Sequence, residues 1–70
     1  MNEKQIAINY LKKKREELRR LANANVLEED LEQAFNIAQG FAWAYHGIGF
    51  INQSETLKWL QTFADACEGR

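Results

Sequence analysis

Seventy residues, 46% of them apolar and 27% charged, describe a single globular domain (residues 1–70) and exclude a disordered tail. The absence of proline, with all four glycines beyond residue 39, leaves nothing to interrupt helices in the first half, and the single cysteine, Cys67, excludes an internal disulfide. A net charge of −1 and a pI near 5.8 exclude a strongly basic nucleic-acid binder.

The charge is nevertheless divided. Lys4, Lys12, Lys13, Lys14, Arg15, Arg19 and Arg20 outnumber Glu3, Glu16 and Glu17 in the first twenty residues, whereas Lys58 and Arg70 are outnumbered by Glu28, Glu29, Asp30, Glu32, Glu55, Asp65 and Glu68 in the rest. The two parts are electrostatically complementary, and the acidic second helix is expected to offset the basic first one.

In "NEKQ" at Asn2, "NVLE" at Asn25 and "NQSE" at Asn52, an Asn that precedes an apolar-periodic run is followed three positions later by Gln or Glu. This is the spacing of a capping box, so helices are predicted over residues 3–22, 26–46 and 53–68. The first has a thin stripe, Ala7, Tyr10, Leu11, Leu18, Leu21 and Ala22, with Lys14 in its middle burying only a methylene stem.

The second helix has the strongest periodicity. Leu27, Leu31, Ala34, Ala38, Phe41, Tyr45 and Ile48 step by four and three, and Phe35 and Ala42 widen the stripe. It is expected to end at Gly47 in a left-handed cap, with Ile48 closing over the core and Phe50 as a lid. The third places Leu57, Leu60, Phe63, Ala64 and Cys67 on one face, with Trp59 and Ala66 at its edge. Short connections make neighbouring helices antiparallel. The fold class is therefore all-α: a small three-helix bundle, built as a long helical hairpin plus a basic N-terminal helix, and expected to dimerise.

Catalytic chemistry finds no footing. His46 and Cys67 are the only pair suggesting a nucleophile and base, but antiparallel helices joined near Gly49 leave them about 20 Å apart. One His and one Cys also fall short of a zinc site, and Gly47 and Gly49 follow no strand that would make them a phosphate loop. No catalytic residue, cofactor, metal or small-molecule substrate is expected. The helix beginning "QSETLKW" makes a poor recognition helix, because its surroundings are acidic. The amino-terminal "MNEKQIAINYLKKK" is no signal peptide and Phe41–Ile51 is too short to cross a bilayer, so a cytoplasmic protein without membrane association is expected.

Trp43 stands out, projecting about 160° from the second helix's apolar face, on the side of Glu29, Asn36, Gly40 and Gly47. Leaving an indole wet is costly, so either the first helix or the chain's own ends cover it, or another protein or subunit does. On the latter reading Trp43, Ile37, Gln39, Gly40 and Trp59 form a protein-contact surface of a module that regulates or inhibits a larger partner. The alternative is a nucleic-acid-associated protein using Lys12, Lys13, Arg15, Arg19 and Arg20, although these spread over about half the helix circumference.

Overall fold

The computed structural model describes residues 2–69 as an all-helical three-helix bundle. Helix α1 runs Glu3–Asn23, α2 Glu28–Gly47 and α3 Gln53–Cys67, and each packs against the other two. The Cα envelope measures 35 × 19 × 15 Å, one helix long and about two helices wide, so little of the chain lies far from water. The fully buried apolar residues are correspondingly few: Ala7, Leu11 and Leu18 from α1, Ala38 and Ala42 from α2, Ile51 from the second turn, and Phe63 and Ala66 from α3.

Helix α1 starts where Asn2 accepts the Gln5 backbone N–H at 2.7 Å. Its weak centre is reinforced by Lys14, whose ammonium lies 5.4 Å from the Tyr10 ring centre and 5.5 Å from that of Phe41, with Glu17 at 3.5 Å. The lysine thus joins α1 to α2 through ring faces, a cation–π contact worth about 0.5–1 kcal/mol when partly exposed.

The predicted cap at Asn25 does not form. Helix α1 continues to Asn23, and Asn25 takes the left-handed conformation (φ 55°) that turns the chain, a role its short polar side chain tolerates. Helix α2 begins two residues late, at Glu28, with Leu27 as an N-cap that provides no side-chain hydrogen bond. Glu28, Glu29 and Asp30 in that first turn offset part of the loss by facing the positive end of the helix dipole. Leu27 itself is 72% exposed and leaves the predicted core stripe.

The end of α2 also differs from expectation. Gly47 is its last helical residue, and the left-handed position belongs to Gly49 (φ 84°). Phe50 N–H donates to Tyr45 O at 2.9 Å and Gly49 N–H to His46 O at 3.0 Å, the paired bonds of a Schellman motif. The accompanying apolar contact is the stacking of Phe50 on Tyr45, 5.9 Å between centroids and 19° between planes. Ile48 therefore faces outward, 64% exposed, and Ile51 takes the buried place expected of it and of Phe50.

Helix α3 opens with a complete capping box: Asn52 accepts from Glu55 N–H at 2.8 Å and donates its own N–H to Glu55 Oε1 at 3.0 Å. Lys4 reaches the other Glu55 oxygen at 2.7 Å and ties the start of α1 to the start of α3. Its core face is rotated from the predicted one. Thr56 is buried and Leu57 is 51% exposed, because the Thr56 hydroxyl is satisfied by donating to Asn52 O at 2.9 Å and the residue then packs as an apolar one. Among the described residues no buried side-chain nitrogen or oxygen lacks a partner.

The Glu55 carboxyl is held below its ordinary range, first by the Asn52 backbone N–H and then by the Lys4 ammonium. Its stabilising contribution is therefore fully present above the usual glutamate pKa of about 4.3 and is lost as pH falls through the lowered folded value. Glu55→Gln, whose amide oxygen can still accept the Asn52 N–H, is expected to be less stable than wild type at pH 7, with the two converging below about pH 4; a stability difference that does not change across that range would show that the carboxylate charge and its Lys4 ion pair contribute nothing.

Candidate interaction surface

On α2, successive residues turn by about 100°. With Ala38 directed at the core, Phe41 lies about 60° to one side and Trp43 about 140° to the other. Helix α1 packs on the Phe41 side, where Tyr10 meets Phe41 at 4.8 Å and Tyr45 at 6.2 Å. It therefore does not reach Trp43, which remains 44% exposed and has the His46 ring edge-on at 5.8 Å. The first helix therefore does not cover this indole.

Trp43 belongs to a larger exposed surface. Ile37 is 47% exposed and Phe41 36%, and with Ile48 they flank an arc in which Gly40, Ala44 and Gly47 are open to solvent. Phe41 and Ile48, assigned by periodicity to the core, thus lie on the outer flank of α2 instead. The signal that could have found this surface is an absence: residues 33–54 contain no Asp, Glu, Lys or Arg. A surface helix ordinarily turns charge outward, and one apolar on all sides is ordinarily covered. Taking 150 to 250 Å² for each large side chain when fully open, the exposed parts of Ile37, Phe41, Trp43 and Ile48 amount to roughly 400 Å² of apolar surface, in the range of functional patches. The whole chain exposes 4680 Å².

The other predicted contact residues divide. Gln39 is half-buried, one turn before Trp43, and with His46 forms the polar edge of the patch. The His46 Nδ1 lies 3.2 Å from Ile51 O, so the ring braces the α2–α3 turn. Trp59 is elsewhere: it lies half-buried on α3, packed 5.8 Å from Phe63 as part of the core's border.

Neither glycine on this arc is required by the fold. A Cβ built on Gly40 or Gly47 meets nothing within 4 Å, and neither has a positive φ. Gly40→Ala is accordingly expected to stabilise the isolated domain by about 0.5–1 kcal/mol, which would raise Tm by a few degrees; a lower Tm would mean that α2 needs its glycine for its own packing.

The basic residues of α1 are not neutralised by the acidic start of α2, contrary to expectation. Arg15 and Arg19 both bond Glu16, at 3.2 and 2.8 Å, Lys14 pairs with Glu17 and Lys4 with Glu55. These partners are the adjacent residue, residues three positions away on α1, or on α3, and none is in the first turn of α2. Lys12, Lys13 and Arg20 line a shallow groove with Glu16 and Glu17, so the basic surface is interrupted by carboxylates.

His46 sits beside the start of α3 and Cys67 at its last residue, about 20 Å along the helix. The Cys67 thiol is pushed up by burial and then by the charge of Glu68, which disfavours the reactive thiolate. Among the described residues no group of three or more His, Cys, Asp or Glu could hold a metal ion, and no helix is long and apolar enough to cross a membrane. No family model, curated protein or solved structure matches this chain.

Proposed function

We propose that the chain is a small non-catalytic interaction module that binds protein through the C-terminal half of α2, and that it regulates or inhibits a larger partner by covering part of that partner's surface. The observation that supports this reading is the exposed surface formed by Ile37, Gly40, Trp43 and Ile48 within a stretch, residues 33–54, that has no charged side chain. Large apolar side chains around small residues give a partner both an anchor and room to approach.

The test uses wild type and Trp43→Glu as baits in an extract of the source organism. Trp43 is 44% exposed and packs on His46, so circular dichroism and melting of the variant are measured first to show that it remains folded. Wild type is expected to retain a protein that the variant loses, and to retain it at both about 0.05 M and 0.5 M salt, because apolar contacts are not screened. Equal retention by both baits would remove α2 as the binding face. Retention that collapses with salt and with nuclease treatment would instead favour nucleic-acid binding through Lys12, Lys13 and Arg20, which form no ion pair among the described residues.

A further inference from the structure

We infer that one occupant of this surface is a second copy of the same chain, its α2 lying antiparallel across the first. The inference rests on the reading of the α2 surface as an interface and identifies what covers it.

The surface is compatible with its own image. With no formal charge between residues 33 and 54, two copies meet there without repulsion, and no charged group on the surface selects a partner of opposite sign. Beside the core stripe, α2 has a second seam in which Gln33, Ile37, Gly40, Ala44 and Gly47 step by four and three. When two such seams cross antiparallel about a twofold axis near Ala42, Gly40 faces the partner's Ala44 and Ile37 faces the partner's Gly47. Each large residue meets a small one, and the contact repeats itself under the twofold, as an isologous interface requires. Trp43 then closes one flank.

The glycines supply an independent argument. Open space surrounds both; Gly47 ends α2, but nothing inside the chain accounts for the missing Cβ of Gly40 in the middle of the helix. Close approach of another backbone from outside accounts for it.

Charge at the other end of α2 decides the direction. Glu28, Glu29, Asp30 and Glu32 are exposed and form no ion pair among the described residues. A parallel pair would set the two acidic ends side by side. Crossing antiparallel near Ala42 places them about 40 Å apart, several Debye lengths at physiological salt. Roughly 400 Å² of large side chain per copy, enlarged by Gly40, Ala44, Gly47 and the rim, gives a total near 1,000 Å², the lower limit for a specific interface. The dimer is therefore expected to dissociate on dilution.

Sedimentation of the purified protein over a concentration series should show the mass rising from 8.1 kDa towards twice that value. Gly40→Arg fits open space in the monomer and should retain helicity by circular dichroism while weakening dimerisation by at least about tenfold. On a Cys67→Ser background, mixing Gly40→Cys with Ala44→Cys chains should give the 40–44 crosslink in preference to 40–40 or 44–44. A mass fixed at 8.1 kDa up to millimolar concentration overturns the inference, as does a dimer that Gly40→Arg leaves unchanged or one that crosslinks 40–40 and 44–44. If the mass stays monomeric while Trp43-dependent capture of another protein persists, only the second copy is refuted; if capture is also insensitive to Trp43, the interaction surface itself is refuted.

Discussion

Phe63→Ala is expected to remove about half of the domain's stability. Phe63 is the largest fully buried side chain in the domain, and Trp59 leans on it from the border of the core. Truncating a buried phenylalanine costs about 3–5 kcal/mol, because the three helices cannot collapse fully into the space left behind. A domain of seventy residues has about 4–10 kcal/mol in total. At about 4–8 °C per kcal/mol for this size, the melting midpoint should fall by at least about 12 °C. A shift of only a few degrees would show that Trp59 or Leu60 refills the site. Leu31→Ala, by comparison, removes a half-buried side chain and should cost less.

Ala42→Leu is the second substitution with a large expected effect, and it acts in the opposite sense from truncation. Ala38 and Ala42 are both fully buried, so α2 presents little more than its backbone to the centre of the bundle. Adding three carbons there forces α1 or α3 away or drives side chains off their rotamers, costing about 1–3 kcal/mol. Urea titration should move the midpoint to lower denaturant at nearly unchanged slope. Two positions earlier on the same helix, Gly40→Ala should move it the other way, so the pair separates the packed side of α2 from the open one. If both variants shift in the same direction, the assignment of those two sides is wrong.

The general architecture was legible from spacing alone, since three apolar-periodic runs with short connections have few other ways to bury their stripes. The Asn52 cap was legible for the same local reason: both of its hydrogen bonds span three residues. Asn25 was not, although "NVLE" has the same form as "NQSE", because how far α1 extends decides whether that asparagine starts one helix or ends another. Thr56 and Leu57 illustrate a different limit. Adjacent helical residues point about 100° apart, and α3 has a plausible stripe through either. The contacts of Phe63 and Ala66 with the other helices choose the face with threonine, whose hydroxyl bonds its own helix. Trp43 was visible on a helical wheel because one large residue opposed a long stripe. Phe41 and Ile48 were missed because that stripe was extended to the limit of its period: Phe41 is at its edge, where Tyr10 of α1 covers it only in part, and Ile48 is where the chain leaves the helix.

The unequal ends of α2 give it a gradient of rigidity. Its N-cap, Leu27, supplies no side-chain acceptor, so the first amides of the helix should exchange with solvent readily. Its C-terminus is locked by the two bonds of the Schellman turn, by Phe50 stacked on Tyr45 and by His46 against Ile51. The stiff end is the one bearing Trp43 and Ile48. Whatever docks there meets a preformed shape, and little of the association free energy is spent on ordering the helix.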